Sequence, residues 1–588
     1  MRNVDARKRK CALMGELGIT RRGFLQSASA VTGLALASSS RAEVLSSMWA
    51  GALQEATPRL SSLVKVSTPD KSIEESFWIS ARLTNRMRQL ANEHYGKDGW
   101  LAVSDGKNQP QGGYDPRDFR YGPKCAAYLY GDEPAFANEM GKRIFQDETD
   151  PKDGHILWDP TGQTAIHLAQ VVKHFSDYIV YGGQDDFVRR NWNRVTQMAR
   201  WALEHYDRNG DGLIENGPLM PNNFWALLVG EAFNFPVVKN CKDDVVVVAT
   251  MEVCEFLGLM GRYAAKHNLP EASWFSARAA QFHEAIETQA FDTAAEYYYL
   301  LRRTPEHRWY HSVNGISEDS RELDVTPYYS SIVSGDWSRA ARVAEYARKV
   351  LLDYKIFPMP LDYPTYTWVS PNYGDPFTHI PGGAWEEAYY NCVRAWSHCR
   401  MLDAVYEAVL RRSEAQVRDQ DCWESYTHDG HPHGRDRYGI SAAAHVNAII
   451  EGLFGIVPTG FGFDEVDISP NLPIRWAGSA PASIQVALPG SGFLKYTWSC
   501  NLKMRTIDLL FESDRERKGN FRIFVPGPVT QVSWGGQPIH GGEYDSAVYI
   551  DNGMFIWLHK PFRQHKLHIE FGTCEGAGLP PASCGALP

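Results

Sequence analysis

The chain has 588 residues, of which 44% are apolar, so it can bury a large core and is expected to form more than one domain. Its formal net charge is −10 and it has no long basic run. The broad positive surface of a nucleic-acid binder is therefore missing, and no nucleic-acid partner is predicted. Nothing in the composition indicates an oligomeric state.

The first 42 residues have the order of features found in an export signal. The stretch "TRRGFLQSASAVTGLALASSSRA" holds the paired Arg21 and Arg22, then Phe24 and Leu25, an apolar run and small residues. This order is typical of a twin-arginine signal, so we expect a periplasmic or secreted protein that is exported already folded. The apolar run is shorter than the roughly 20 residues of a membrane span, so no span is predicted. A linker is expected over 43–69.

The ten cysteines are scattered and form no CxxC pair, which argues against zinc-ribbon or thioredoxin-like chemistry. Cys574 and Cys584 lie in a tail, residues 574–588, that we expect to be loose. In an oxidising compartment these two cysteines either form a disulfide or stay free, and the sequence does not choose between the two.

Helical periodicity dominates residues 70–458. The clearest helix lies in "DDVVVVATMEVCEFLGLMGRYAAKH", where one polar stripe on an apolar surface predicts a mostly buried helix. Further helices are predicted at about 72–93, 117–129, 133–145, 163–181, 184–206, 270–289, 325–333, 336–353, 383–400, 401–415 and 440–454. This number of helices suits six hairpins arranged as an (α/α)6 toroid with an active site at one end. A superhelical repeat array is the alternative, but no fixed sequence period supports it.

After residue 458 the pattern changes to that of strands. "KLHIEF" alternates strictly, with Leu567, Ile569 and Phe571 on one face, and "TIDLLFE" and "FRIFVP" are further short strands between turn residues. We therefore predict a mainly α chain in which the helical domain is followed by a C-terminal antiparallel β-sandwich over 459–573.

A carboxylate-rich loop, "DRNGDGLIENG", begins like an EF-hand, with Asp207, Asn209 and Asp211 at the first ligand positions. The twelfth position is Pro218 instead of the Glu that closes such a site, so an EF-hand is not expected. A structural calcium of another form at these three residues remains an alternative to a plain turn. No other metal and no cofactor is predicted.

Three further stretches carry residues that suit work on sugars. In "DCWESYTHDGHPHG", Glu424 lies between Trp423 and Tyr426 just ahead of a helix, which is a setting for a general base. In "GGAWEEAYY", Glu386 follows Trp385 at a helix start, where paired acids are also ordinary dipole complements. In "GGYDPRDFRYG", acids and arginines follow a tyrosine, and they either form salt bridges with each other or hydrogen-bond the vicinal hydroxyls of a sugar. The candidates for sugar binding in this stretch are Tyr114, Asp115, Asp118 and Arg120.

Four segments, taken in chain order, resemble motifs of the (α/α)6 glycoside hydrolases, most closely those of the group of mannosylglycerate hydrolase and processing α-glucosidase I. The matching segments are "DRNGDGLIENG", "GGAW", "WESYTHDGHPHG" and "GISAAAHVNAI", and "ISPNLPIRW" is similar to the cap of α-L-rhamnosidases. The resemblance implies that Glu424 is the general base and that Trp385 and Tyr426 line a sugar pocket. It also implies an inverting reaction, in which an acid protonates the leaving oxygen while a base activates water.

The sequence departs from this family where the acid is expected. "ENGPLMPNNFW" offers Asn222 and Asn223 followed by Trp225, and an amide cannot donate a proton as a carboxylic acid does. These three residues are retained as candidates for sugar binding. Glu386, Glu231 among apolar residues, and Asp244 at the head of the buried helix are the candidates for the acid, and the sequence does not choose among them.

The leading hypothesis is an exported, exo-acting, inverting glycoside hydrolase with a carbohydrate substrate, an α-hexoside being the first choice and an α-L-rhamnoside the second. A polysaccharide lyase is an alternative because "ESYTHDGHPHGRDRYG" supplies Tyr and His residues. A carbohydrate-binding pseudoenzyme is another, because Asn stands at the acid position.

Overall fold

The computed structural model describes residues 60–95, 121–131, 165–182, 185–215, 243–304, 307–311, 321–323, 325–354, 362–363, 384–426, 430–433, 436–548 and 553–573. The signal peptide, the helix predicted at 133–145 and the tail lie outside the described residues and stay predictions. No helix in the described ranges combines the length and the apolar composition that crossing a membrane requires.

The described helices follow the periodic segments, except that the helix predicted at 184–206 is divided in two at Asn191. They are α1 Lys71–Tyr95, α2 Gly122–Tyr130, α3 Ala165–Gly182, α4 Asp185–Arg190, α5 Trp192–Tyr206, α6 Val247–Lys266, α7 Ala272–Gln289, α8 Val325–Tyr328, α9 Trp337–Tyr354, α10 Glu386–His398, α11 Leu402–Asp419 and α12 Gly439–Asn447. A helical part is thus confirmed, and α6 is buried along most of its length, as its single polar stripe predicts.

Two predicted helices change type in their last turn. After α8 the segment Tyr329–Val333 is a π-helix, and after α12 the segment Ala448–Leu453 is another. Gly452 lies in the second one, where an added Cβ would stand 2.2 Å from a side-chain carbon of Val393 on α10. Because glycine has no side chain, the π-helical turn can pack closer to α10 than it could with any other residue at this position.

Each of six helices packs against the next in a fixed order. Helix α2 contacts α3, α3 contacts α6, α6 contacts α8, α8 contacts α10, α10 contacts α12, and α12 contacts α2. Four other helices pack against members of this set: α1 on α12, α7 on α6, α9 on α8 and α10, and α11 on α10.

A large sheet follows the helices. Its strands are β1 Lys65–Ser67, β12 Ile456–Pro458, β13 Glu465–Ile468, β14 Ala482–Leu488, β15 Gly492–Asn501, β16 Thr506–Val525, β17 Val529–Trp534, β18 Gln537–Ile539, β19 Asp545–Val548 and β20 Met554–Phe571. The predicted strands "TIDLLFE" and "FRIFVP" are the two halves of β16, which continues through an irregularity between Glu512 and Arg517. "KLHIEF" ends β20, with the predicted inward face buried.

Two features of this sheet differ from the prediction. The pairing is antiparallel except that β13 runs parallel to β16, which alternation along single strands does not reveal. Strand β1 belongs to the predicted linker, yet it pairs with β14, with Val66 opposite Ile484. The end of that segment is therefore an edge strand of the sheet.

The helices and the sheet are joined by polar contacts in the segment "ISPNLPIRW". The Asn471 side-chain amide donates to Ser397 Oγ at 2.8 Å and to the Gly452 carbonyl at 2.6 Å. The Trp476 indole donates to Asp70 Oδ2 at 2.8 Å. These three bonds connect the segment to the end of α10, to the π-segment after α12 and to the residue before α1, so the segment fixes the sheet to the helical part.

Ten short strands lie between the helices in the part of the chain that the structure describes. They are β2 Val245–Val246, β3 Phe291–Asp292, β4 Tyr297–Tyr298, β5 Leu301–Arg303, β6 Arg308–Tyr310, β7 Arg321–Glu322, β8 Asp362–Tyr363, β9 Ala384–Trp385, β10 Ser425–Tyr426 and β11 Pro432–His433. Each is too short for a period of two to appear in the sequence, and none of them was predicted.

Candidate active site

Strands β9, β10 and β11 form a small sheet with β10 in the middle. Trp385 lies opposite Ser425 and Ala384 opposite Tyr426, while Ser425 also lies opposite His433. The sheet therefore brings together two segments that the sequence separates by about forty residues, "GGAW" and "WESY". Glu386 directly follows β9 as the first residue of α10, and Glu424 directly precedes β10.

The loop carrying Glu424 is fixed to the start of α12. The Tyr438 N–H donates to the Cys422 carbonyl at 2.7 Å, and the Ser441 hydroxyl donates to the Trp423 carbonyl at 2.7 Å. Glu424 itself is 7% exposed. Its backbone is thus held between the starts of α10 and α12, which gives a carboxylate a defined position.

Helix α11 supports β10 from the other side. The Tyr426 hydroxyl donates to Asp419 Oδ2 at 3.2 Å, and Arg418 makes two hydrogen bonds of 2.7 Å to the same carboxylate. The Arg412 guanidinium lies 5.0 Å from the centre of the Tyr426 ring. Tyr426 has no exposed surface, so in this structure it supports the strand, and its predicted contact with a sugar stays a prediction.

Asp421, three residues before Glu424, is the most perturbed carboxyl group of this loop. Burial raises its pKa to about 7, with the neighbouring Asp436 acting in the same direction. The N–H groups of Cys422 and Arg437 donate to its Oδ1 at 2.7 and 3.1 Å and limit that rise. The group therefore titrates near neutral pH.

Asp244 is placed differently from the prediction. It does not lie in the first turn of the buried helix, because β2 intervenes and α6 begins only at Val247. Asp244 Oδ1 accepts a hydrogen bond from the Thr304 N–H at 2.8 Å, and the side chain is almost fully buried. This carboxylate accepts a backbone N–H beside β5, so the prediction that Asp244 stands at the head of the buried helix is wrong.

Side chains of the loop 207–215 form hydrogen bonds with other residues of the same loop. Gly212 N–H donates to Asp207 Oδ1 at 3.1 Å, and the Asn209 side chain exchanges hydrogen bonds of 3.0 Å with the Asp211 side chain and backbone. Burial raises the pKa of Asp207 to about 6. Within the described ranges no group of three or more His, Cys, Asp and Glu residues is arranged to hold a metal. A calcium ion at this loop stays a prediction.

Several predicted site residues lie outside the described residues, and their roles stay predictions: Tyr114, Asp115, Asp118, Arg120, Asn222, Asn223, Trp225 and Glu231.

Sequence reasoning missed a buried polar network inside the set of six helices. Glu451, which is 0% exposed, accepts hydrogen bonds from the hydroxyls of three tyrosines and pairs with Arg394 at 3.0 Å. The tyrosines are Tyr128 at 3.1 Å, Tyr181 at 2.8 Å and Tyr390 at 2.7 Å. A single Glu in the apolar run "AIIEGLFG" was the available signal.

The network continues through two lysines. Lys124 lies 3.5 Å from Asp177 and donates to the Tyr390 hydroxyl at 3.3 Å. Lys173 lies 2.9 Å from Glu255, whose carboxylate also accepts the Tyr328 hydroxyl at 3.1 Å. Helices α2, α3, α6, α8 and α10 and the π-segment after α12 thus each contribute a side chain.

Burial and opposite charges compete in this network. Burial by itself would raise the pKa of Glu451, but Arg394 and Lys124 hold it below its usual value. Burial lowers the pKa of Lys124, and Asp177 only partly opposes that change. Glu451 is therefore an ionised buried group whose charge depends on Arg394.

Comparison with known proteins gives a fold and no family. No family model matches the chain, and no curated protein matches it. The solved structure of a GH78 family rhamnosidase of Bacillus sp. GL1 is similar with a TM-score of 0.55, at 16% identity over 78% of this chain and 43% of that chain. An α-L-rhamnosidase of Streptomyces avermitilis has a TM-score of 0.53, at 11% identity over 86% of this chain and 42% of that chain.

The mannosylglycerate hydrolase of Thermus thermophilus is less similar, with a TM-score of 0.43 at 10% identity over 62% of this chain and 98% of that chain. The chain spans less than half the length of the two rhamnosidases. At these identities the similarity shows that the chain shares the fold of glycoside hydrolases in which a helical domain is followed by a sheet domain.

Proposed function

We propose that this chain is a glycoside hydrolase whose helical part is an (α/α)6 toroid followed by a β-sandwich. The closed order of contacts among α2, α3, α6, α8, α10 and α12 supports the toroid, as does the packing of α1, α7, α9 and α11 on that set. The polar network also supports a closed ring, because side chains from α2, α3, α6, α8, α10 and the π-segment after α12 meet in it.

The position of Glu424 carries the proposal. It precedes a strand that pairs with the residues before α10, and its loop is bonded to the start of α12. The beginnings of two neighbouring ring helices thus meet at Glu424, at the end of the ring where a helical toroid forms its site from loops. Glu424 acts as the general base that activates water on the face of the sugar opposite the leaving group.

Glu386 is the best candidate for the acid that protonates the leaving oxygen. A helix start favours the ionised carboxylate, whereas a second carboxylate close by raises the pKa of one of the pair. The pairing of β9 with β10 brings the backbone of Glu386 near that of Glu424, which is why Glu386 is preferred as the acid. Asp244 is less suited because it is bonded to the Thr304 backbone, and Glu231 remains the alternative.

For the substrate, the likeness to the two rhamnosidases favours a terminal α-L-rhamnoside, and α-hexosides remain the other class to test. We expect exo action on an oligosaccharide or glycoside. The partially buried Trp423 beside Glu424 offers an aromatic face for a sugar ring.

A panel of nitrophenyl glycosides and natural oligosaccharides tests this function. Release of a free sugar by the purified protein, with the inverted anomer formed first in proton NMR, supports it. An unsaturated uronate among the products identifies a lyase instead. Saturable sugar binding without any product identifies a carbohydrate-binding pseudoenzyme.

Export by the twin-arginine pathway is part of the proposal. That pathway carries folded proteins, and the six described cysteines are all buried and form no disulfide, which suits a protein that folds before export. Replacing Arg21 and Arg22 by Lys should keep the protein in the cytoplasm, and unchanged export would exclude this route.

A further inference from the structure

A cavity of about 410 Å³ lies between the far ends of the ring helices and the sheet. Four arginines from separate parts of the chain line it: Arg262 on α6, Arg394 on α10, Arg400 just after α10, and Arg522 on β16. Arg262 and Thr459 are exposed and form its mouth. The cavity has the size of a small-molecule site.

Two of these arginines are buried charges. Arg400 is 3% exposed, and it donates to the Ser397 carbonyl at 2.9 Å and to the Ser469 hydroxyl at 3.3 Å, both neutral acceptors. Arg394 is also buried and pairs with Glu451. The serine hydroxyls of Ser397 and Ser469 line the same wall and can turn to donate to a ligand.

The acidic groups in the cavity wall have their own cationic partners. Glu255 is bonded to Lys173 at 2.9 Å, and Asp177 lies 3.5 Å from Lys124. Asp467 lies 3.5 Å from Arg522 and accepts a hydrogen bond of 2.9 Å from the Asn520 amide. These carboxylates therefore do not repel an anion as isolated charges would.

His398 lines the same cavity. Burial lowers its pKa well below the usual value, and Arg400, Arg522 and Arg394 lower it further. The imidazole is consequently neutral at neutral pH, since a further positive charge is unfavourable beside three guanidinium groups.

We propose that this cavity binds a small oxyanion of the orthophosphate type. Guanidinium groups and hydroxyls are the donors that recognise tetrahedral oxyanions, and the forked guanidinium binds two oxygens at once. Arg400 and Arg522 come from the helical part and the sheet respectively, so a bound anion would link the two parts.

This site is distinct from the proposed active site. Glu386 begins α10 and His398 ends it, and a helix of 13 residues is about 20 Å long. Arg394, His398 and Arg400 therefore lie at the other end of the ring from Glu424, and the proposal stands whatever reaction the protein catalyses.

Calorimetric titration of the purified protein with orthophosphate, in chloride buffer of constant ionic strength, tests the proposal. Parallel titrations with sulfate and glycerol phosphate distinguish a free oxyanion from an esterified phosphate group. We expect saturable binding of orthophosphate and an increase of the melting temperature with phosphate concentration.

Arg400→Gln and Arg522→Gln should each weaken phosphate binding at least about tenfold, which corresponds to the loss of one charge-assisted hydrogen bond. Arg563→Gln, at an exposed residue of β20, is the matched control and should leave binding unchanged. Arg522 is the less buried of the two, so its variant keeps the test valid if Arg400→Gln does not fold. Absence of saturable binding, or equal binding by wild type and Arg522→Gln, overturns the proposal.

Discussion

Trp385 lies directly opposite Ser425 in the antiparallel pair of β9 and β10. Glu386 follows Trp385 at the end of β9, and Glu424 precedes Ser425 at the start of β10, so both glutamates lie one residue beyond this pair. Opposed residues in such ladders have Cα atoms about 4.5–5.5 Å apart, so the backbones of the two glutamates, each one residue beyond this pair, lie near each other. This backbone arrangement supports the proposal that Glu386 and Glu424 act as acid and base.

The two glutamates should respond differently to substitution. Glu424→Gln should lower kcat by about 10²–10⁴-fold on every substrate, because water activation is needed for all of them. Glu386→Gln should do so on natural glycosides but retain much more activity on nitrophenyl glycosides, whose leaving group needs no protonation. Glu387→Gln is the neighbouring control and should remain active. If Glu386→Gln behaves like that control, the acid lies elsewhere, with Glu231 the next candidate.

Tyr426→Phe should separate positioning of β10 from general stability. The change removes the hydroxyl that donates to Asp419 and keeps the ring beside Arg412, so the free energy of unfolding should fall by about 0.5–1.5 kcal/mol and kcat should fall while KM changes little. Tyr496→Phe is the matched control, because its buried hydroxyl on β15 donates to the Phe454 carbonyl at 2.6 Å and makes no contact with β10 in the described hydrogen bonds. Equal kcat values for the two variants would show that β10 does not position Glu424.

Glu451→Gln should be strongly destabilising. It leaves Arg394 without its buried carboxylate partner, a change that typically lowers the free energy of unfolding by about 3–5 kcal/mol, measured by urea denaturation. Arg515→Gln breaks an exposed pair with Asp464 and should stay within about 0.5 kcal/mol of wild type. Comparable stability of the two variants would contradict the role of the network.

The same variant should change the acid sensitivity of the protein. The pKa of Glu451 is lower in the folded than in the unfolded chain, so its stabilising effect is present above the unfolded-state value of about 4.3 and is lost as pH falls through the folded-state value. Wild type and Glu451→Gln should therefore converge in stability at low pH. A constant difference between pH 7 and pH 3 would refute this assignment.

Asp421→Asn should change how stability depends on pH between about pH 4 and pH 7, above the range in which Glu451 acts. Burial raises the pKa of Asp421 to about 7, so the folded chain holds this proton between the unfolded-state value of about 3.9 and pH 7, and wild-type stability falls as pH rises through that window. Asparagine keeps an oxygen acceptor for the two backbone N–H groups and has no proton to lose. The variant should gain melting temperature relative to wild type between pH 5 and pH 8. A gain that is the same at both pH values would contradict the buried acid.

Periodicity predicted the helices because their apolar faces recur at a fixed spacing, and the boundaries of α1, α3, α7 and α9 differ from the predicted ones by at most two residues. It did not predict β9 and β10, because two-residue strands carry no period, and so it did not bring Trp385 next to Ser425. Glu424 was predicted from its aromatic neighbours and from the resemblance to the (α/α)6 glycoside hydrolases. Glu451 and Arg394 were missed because one charged residue on an apolar helix does not reveal its partner. The parallel pairing of β13 with β16 depends on long-range order that no single strand encodes.

The most direct test of the account is sugar release by wild type and Glu424→Gln from α-L-rhamnosides and α-hexosides, followed by proton NMR of the first anomer formed. The account predicts that wild type releases a terminal sugar with inverted configuration and that the variant is at least about 100-fold slower. Release at the wild-type rate by Glu424→Gln, or no sugar release by wild type from any substrate of the panel, would contradict it.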